Sequence, residues 1–208
     1  AYAGDFGGEY NITFFHGEDD KSSLSFIPDE SYLTPRKNTA ISTMVSQKFL
    51  KYFYVRAEYA FSIYNSNIFN ENNEPVRTSS FIDKIFKKHS SDHYVDAING
   101  AVGYQGNIWG PSSNYERVPP SYSTLGGYYF TNDNENFTIA PNLKLLRGKL
   151  SFSGNFGLQF NNLDNSKTTD TRNIVYSANA SFNSGEHWTA SVNFSNFNTY
   201  TRVKPQAY

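Results

Sequence analysis

Apolar and polar residues alternate with a period of two over much of this chain. Between Lys149 and Phe160, the residues Leu150, Phe152, Phe156, Leu158 and Phe160 fall on one parity, and Ser151, Ser153, Asn155 and Gln159 on the other. Between Arg172 and Asn183, Ile174, Tyr176, Ala178, Ala180 and Phe182 alternate with Asn173, Ser177, Asn179, Ser181 and Asn183. Trp188, Ala190, Val192 and Phe194 alternate with Thr189, Ser191, Asn193 and Ser195. A helix would scatter residues two apart around its turn, so these segments predict amphipathic β-strands. Phe53 to Asn65 repeats the pattern, with Phe53, Val55, Ala57, Tyr59, Phe61 and Ile63 opposing Arg56, Glu58, Ser62 and Tyr64. Weaker alternation at Glu9–Phe15, Ser22–Ile27, Thr39–Lys48, Tyr94–Gly106, Ser112–Val118 and Phe137–Leu146 brings the expected total to about ten strands.

The connections between these strands differ in length. Tight ones are expected around Gly17–Asp20, Leu50–Tyr52, Asn107–Pro111, Arg147–Gly148 and Ser184–His187. Long polar ones are expected at Pro28–Asn38, Ser66–His93, Pro119–Asn136 and Asn161–Thr171. Tight and long connections alternate, as in outer-membrane barrels with short periplasmic turns and longer external loops. The expected fold is therefore all-β, an antiparallel transmembrane β-barrel. With ten strands in this order, both chain ends fall on the external side. Residues 1–208 are then a barrel domain expected to be incomplete at both ends, part of a larger barrel of about twelve or more strands. In the longest loop, Ser79-Ser80 predicts a cap for a short helix over Phe81–Lys88, either folded over the barrel mouth or a surface turn of helix with no role.

Composition sharpens this picture. Aromatic residues make up 17% of the 208, with 18 Phe and 16 Tyr, and the hydrophobic fraction is only 38%. That balance suits pleated, half-buried surfaces joined by Asn- and Gly-rich turns. The formal net charge of −1 excludes a global basic field, and no nucleic-acid partner is expected. The absence of cysteine excludes disulfides, thiolate metal sites and a cysteine nucleophile. No run of about 18 apolar residues is present, which excludes a spanning helix but not a spanning barrel.

Three segments carry a resemblance. They are Tyr115-Glu116-Arg117-Val118-Pro119-Pro120-Ser121-Tyr122-Ser123-Thr124-Leu125-Gly126-Gly127-Tyr128-Tyr129-Phe130-Thr131-Asn132-Asp133, Gly157-Leu158-Gln159-Phe160-Asn161-Asn162-Leu163 and Asn193-Phe194-Ser195-Asn196-Phe197-Asn198. The chain, from about Ala3 onward, resembles the large outer-membrane β-barrel proteins of Bacteroidota. The first motif is the most specific of the three. The resemblance implies a barrel in the cell outer membrane and no catalytic residues.

The first motif also holds the candidate functional residues. Pro119-Pro120 cannot extend a central strand, and Gly126-Gly127 permits left-handed backbone. A loop built this way is able to fold inward and narrow a pore, with Glu116, Arg117, Tyr122, Tyr128, Tyr129, Asp133 and Glu135 as its polar and aromatic groups; a structured external loop is the alternative. His89 and His93 stand at i, i+4 spacing beside Asp92, but no third ligand is evident and no metal is expected. His187, in a tight turn, is read as solvated. Glu18-Asp19-Asp20 and Asn132-Asp133-Asn134-Glu135 offer oxygen ligands but lack the glycine and bidentate Glu of a calcium loop, so solvated turns are the preferred reading. The Asn-x-Ser/Thr matches at Asn11, Asn136, Asn179 and Asn193 are expected by chance in so Asn-rich a chain. No nucleophile motif, Walker loop or dinucleotide fingerprint is present, so neither enzyme activity nor a cofactor is expected. The expected function is transport, export or a structural part of an envelope complex. Its partners would be the lipid bilayer, lipopolysaccharide and other envelope proteins. The alternative is a soluble secreted β-sandwich or adhesin that binds carbohydrate through its aromatics.

Overall fold

A computed structural model describes residues 7–23, 34–68, 92–126, 131–185 and 188–204. The chain forms one antiparallel sheet of ten strands: β1 (Gly8–Glu18), β2 (Lys37–Phe49), β3 (Phe53–Asn65), β4 (Asp92–Tyr104), β5 (Ser112–Val118), β6 (Asn134–Ala140), β7 (Asn142–Leu145), β8 (Leu150–Phe160), β9 (Thr169–Asn183) and β10 (Thr189–Val203). Each strand pairs with the next along the path β1-β2-β3-β4-β5-β6-β8-β9-β10, and β7 continues β6 against β8. Pro141 separates β6 from β7 without shifting the register: Ile139 faces Phe156 on one side of it and Asn142 faces Ser153 on the other. Proline lacks the N–H that the ladder needs, but its carbonyl still accepts from Gly154 N at 2.9 Å. Strands β1 and β10 do not pair with each other, so the sheet is not closed into a barrel.

One expected strand is corrected. Ser22–Ile27 was to lie between the first strand and Thr39–Lys48, yet β1 pairs directly with β2 from Gly8↔Gln47 to Glu18↔Lys37. Ser22 and Ser23 sit in a turn, and residues 24–27 lie outside the described residues. The Asp20 carboxylate accepts from Ser22 N at 2.8 Å and from Ser22 Oγ at 2.7 Å. That local capture competes with extension into a ladder. The tight turn expected at Gly17–Asp20 is likewise replaced by continued strand through Glu18. The alternation of connections survives, because the whole segment between Glu18 and Lys37 becomes one long connection. Its consequence for topology changes: β1 begins at the short-turn end of the sheet, whereas β10 ends at the long-loop end. The helix expected over Phe81–Lys88 lies outside the described residues.

Register assigns every strand residue to one of two faces. On one face, a continuous row joins Gln47, Val55, Val102, Ser113, Ile139, Phe156, Tyr176 and Asn196. On the other, a row runs Asn11, Met44, Glu58, Asn99, Glu116, Asn136, Gln159, Asn173 and Thr199, in which only Met44 is apolar. Of the exposed large hydrophobic side chains that lie in strands, all but Phe197 and Val203 belong to the first face. The amphipathic pattern is thus preserved in register across all the strands, which a slip of one residue would destroy. The same rows also reveal a lean. Val55 is the third residue of β3, whereas Asn196, reached along its row, is the eighth of β10. Five residues over six strand steps is a lean of roughly 30° at ~3.4 Å per residue and ~4.8 Å per strand. Strands of closed barrels tilt by about 35–45°.

Among the described residues, no second layer covers the apolar face. Among the described residues, Ile68 is the only buried hydrophobic side chain. Phe14, Val192 and Phe194 stay 66%, 69% and 55% exposed. The chain presents 15302 Å² to solvent, where a compact monomer of 23.6 kDa presents about 9,800 Å².

Candidate functional site

The sheet curls toward its polar face. Thr13 of β1, Ser42 of β2, Glu58 of β3, Glu116 of β5, Asn134 of β6 and Gln159 of β8 all line one cavity of about 770 Å³. Strands that far apart in a sheet share a cavity only when the sheet is concave there. The segment after β5, Pro119 to Gly126, closes over this hollow. It reaches past β4 and β3 to β2 and β1, where Leu125 and Gly126 approach Gly17 and Phe15.

Two side chains hold the segment down. Asn38 of β2 is fully buried, and both ends of its amide are saturated. Its Nδ2 donates to Ser62 Oγ at 2.8 Å and to the Ile63 carbonyl at 3.0 Å. Its Oδ1 accepts from Thr124 Oγ1 at 3.0 Å and from Leu125 N at 3.1 Å. Ser62 Oγ in turn donates to the Ser123 carbonyl at 2.7 Å. A strand position on a polar face normally needs only a solvated side chain; here burial of Asn38 and Ser62 is tolerable because each polar atom meets the loop backbone or its own neighbour. Neither residue was singled out in the sequence: Ser62 reads as an ordinary polar-face position, and Asn38 as the last residue of the connection Pro28–Asn38, whereas the structure begins β2 at Lys37.

The charged residues lining the cavity are Glu58 and Glu116, which lie two strands apart in the same row with Asn99 between them. Arg56, two positions along β3, comes within 4.0 Å of Glu58. Tyr122 hangs from the covering segment into the cavity. Burial, and then the negative charge of Glu58, push its phenol above the ordinary tyrosine value. On the same face, from the cavity wall outward, amides link strand to strand. Asn173 Nδ2 donates to Gln159 Oε1 at 3.0 Å, and Gln159 Nε2 to Asn134 Oδ1 at 2.8 Å. Asn179 and Asn193 are likewise joined, as are Ser151 and Ser181.

The expected site residues therefore separate. Glu116 and Tyr122 come together in the cavity. Arg117 and Glu135 are corrected to the other face: they face each other across β5 and β6, in the row of Ile98 and Phe160. The reason is strand parity, since Arg117 directly follows Glu116. Glu135 also accepts from the Tyr115 hydroxyl at 2.7 Å. Asp133 is buried at the long-loop end rather than in the cavity. It pairs with Lys167 and accepts from Leu163 N at 2.8 Å, which fixes the β8–β9 loop. Burial alone would raise its carboxyl, but the hydrogen bonds from Lys167 and from the Leu163 and Asn162 backbone hold it below the usual carboxylate value. Tyr128 and Tyr129 lie outside the described residues, as do His89 and His187. His93 is on β4 opposite Tyr64. The carboxylates of Glu18, Asp19 and Asp20 are engaged by Lys37 at 3.6 Å, by Arg36 N at 2.9 Å and by Ser22.

The apolar face has its own zonation. At the short-turn end, Phe49, Phe53, Tyr104 and Trp109 form a chain of ring contacts at 5.8, 5.0 and 4.9 Å. Toward the long-loop end stand the charges of this face: Glu18, Lys37, Asp92, Asp96, Arg117, Glu135, Asp170, Arg172 and Arg202. Asp96, the one set furthest in along its strand, is hydrogen-bonded by the Tyr59 hydroxyl. The band between is mostly apolar, interrupted by Thr43, Asn196 and Asn198.

Fold and site together define a class: a single curved antiparallel sheet, apolar on one side and polar on the other, with an inward segment pinned over its hollow. No family model, no curated protein and no solved structure matches the chain, so the class rests on its own geometry.

Proposed function

We propose that this sheet is the wall of an outer-membrane β-barrel whose polar hollow is the lumen and whose segment Pro119–Gly126 narrows it. One observation carries the reading: a predominantly apolar face, bounded by aromatic rings at one end and charges at the other, with no layer over it among the described residues. Water is a poor neighbour for such a face; at roughly 25 cal/mol per Å², each exposed Phe or Val costs on the order of 1 kcal/mol or more. Hydrocarbon removes that cost. It also forbids unpaired backbone, which in-register pairing satisfies along most of the sheet; among the described residues, the outer edges of β1 and β10 and the Asp92–Ala97 half of β4 on its β5 side have no ladder partner. Those edges call for further strands, from the same polypeptide or a partner, to complete a barrel. The tight turns would then face the periplasm and the long loops the outside. Within that reading, transport or export fits the lumen better than a purely structural role, because an inward segment pinned by buried polar groups has no use in a plugged or solid wall. The carbohydrate-binding sandwich would need a second sheet over the apolar face, and the described residues supply none.

The test is reconstitution. The full chain is expected to fold, judged by β-type circular dichroism, only in detergent micelles or lipid vesicles. Brominated acyl chains should quench Trp109 or Trp188 fluorescence. A chain that stays monomeric and folded in plain buffer, with no quenching in vesicles, would overturn the proposal.

A further inference from the structure

A second cavity, of about 500 Å³, lies at the long-loop end of β8, β9 and β10. Phe160, Arg172 and Tyr200 line it side by side, one from each strand in a single row. Arg202 lines it too, one apolar-face position further along β10, opposite Asp170. Directly opposed and diagonal neighbours of this kind hold their Cβ atoms within about 5–8 Å, so both guanidinium groups can reach one small anion. Arg172 is braced by Phe160, its Cζ 5.4 Å from the ring centre. The one carboxylate in the cleft is shared: Asp170 pairs with Lys204 at 3.1 Å, is hydrogen-bonded by Asn162, and feels the charge of Arg202 opposite it without forming an ion pair. Among the described residues, no carboxylate comes within ion-pairing distance of either arginine.

We propose that this cleft binds the phosphate headgroup of an anionic membrane lipid. Planar guanidinium forks match phosphate oxygens in bidentate fashion, and two of them converge here. The position argues for a lipid rather than a free ion. The cleft opens on the apolar face, and the residues running from it toward the short-turn end are Leu158 and Ile174, then Phe156 and Tyr176. A phosphate seated between Arg172 and Arg202 thus places its acyl chain along an apolar track that already begins at the cleft. Tyr200, with an apolar ring and a hydroxyl tip, suits the level where headgroup meets chain. This site rests on the membrane reading above.

The experiment titrates the detergent-solubilised chain with phosphatidic acid, with diacylglycerol of the same chains, and with inorganic phosphate. Phosphatidic acid is expected to bind, and diacylglycerol and inorganic phosphate not to bind at the same concentration. The double variant Arg172→Gln/Arg202→Gln, both side chains being exposed and outside any ladder bond, should weaken phosphatidic acid binding by about tenfold or more, the loss of one charge-assisted hydrogen bond. Arg56→Gln, on the opposite face, should leave it unchanged. Equal binding by the double variant, equal weakening by Arg56→Gln, or inorganic phosphate binding as tightly as the lipid would each overturn the proposal. Insertion into phosphatidylcholine vesicles, read separately by fluorescence quenching, distinguishes the two failures. A chain that inserts but ignores phosphatidic acid loses only this site, whereas one that never inserts loses the membrane reading and the site with it.

Discussion

Replacing Phe156 by arginine tests which side of the sheet meets lipid. Phe156 stands on the apolar face between Ile139 of β6 and Tyr176 of β9 and is 43% exposed. It lies six residues beyond Leu150, the short-turn end of β8. That is about 20 Å along the strand at ~3.4 Å per residue, and about 14–18 Å along the membrane normal for a tilt between roughly 30° and 45°. The hydrocarbon layer is about 30 Å thick, so Phe156 falls near its middle. A charged side chain at that depth on a barrel's lipid face costs about 2–4 kcal/mol. Asn155, the adjacent residue, faces Ser177 on the polar side. Arginine there meets water and amides, and the expected cost is under about 1 kcal/mol. If the apolar face met water instead, arginine at a half-exposed position would snorkel and Phe156→Arg would also cost about 1 kcal/mol. The assay is reversible urea unfolding of each variant from lipid vesicles, followed by tryptophan fluorescence. A difference of about 2 kcal/mol between the two variants supports the assignment of faces; equal destabilisation refutes it.

Other outcomes follow from the pinned segment and the loops. Asn38→Ala removes four hydrogen bonds from a buried site. Destabilisation of about 1–3 kcal/mol is expected from the groups left unpaired; in planar bilayers, a barrel completed by its neighbouring strands should gain conductance, and an unchanged conductance would mean that the segment does not narrow the lumen. Asp133 is held below the ordinary carboxylate value, so its contribution is fully present above about pH 3.9. It is lost as pH falls through the lower folded value, and amide exchange at Leu163 should rise at acid pH; protection that persists there would sink the idea. Tyr122 has the opposite sign. Its raised phenol favours the folded state below the ordinary tyrosine value of about 10, and that contribution disappears as pH rises through the folded value. Alkaline loosening of the segment, absent in Tyr122→Phe, is the expected result.

Which parts of this structure could be read from residue order follows from the range of each signal. The faces were legible because period-two alternation is local: Phe152, Phe156, Leu158, Ile174, Tyr176, Val192 and Phe194 share one face, and Ser153, Asn155, Gln159, Asn179, Ser181 and Asn193 the other. The failure of the expected strand Ser22–Ile27 at its first two residues has the opposite origin. Ser22, Leu24 and Phe26 do not differ in parity signal from a short real strand; what decides the start of that segment is the Asp20 carboxylate capturing Ser22, a competition that alternation does not register. The extension of β1 through Gly17 and Glu18 was hidden because glycine and an acidic pair usually mark a turn. The pinning of Pro119–Gly126 was half legible. Proline and glycine announced that the segment leaves the sheet, but its anchor is Asn38, more than eighty residues earlier, and nothing near Asn38 marks it as different from Asn11 or Asn99. The separation of Glu116 from Arg117 was legible from parity alone; treating all the charges of one motif as a single group overrode it.

The corrected topology carries a further constraint. Nine strands lie along the hydrogen-bonded path, and consecutive ones are antiparallel, so β1 and β10 point the same way, both from the short-turn end to the long-loop end. Direct pairing of β1 with β10 would be parallel, without the alternating ladder that every other junction uses. Bacterial single-chain barrels have an even number of strands, which avoids such a seam. Polarity makes the same point. At β10 the faces remain sorted to the edge, with Val192 and Phe194 on the apolar side and Asn193 and Ser195 on the polar side, and at β1 Ile12 and Phe14 are sorted against Asn11 and Thr13. An edge strand adapted to water normally carries charges, proline or a bulge to deter pairing. β10 runs from Thr189 to Val203 with one charged residue, Arg202, no proline and unbroken register. On the barrel reading proposed above, its outer ladder groups are open to a further strand, and an odd number of added strands, continuing the alternation from β10 round to β1, is what would satisfy both edges at once.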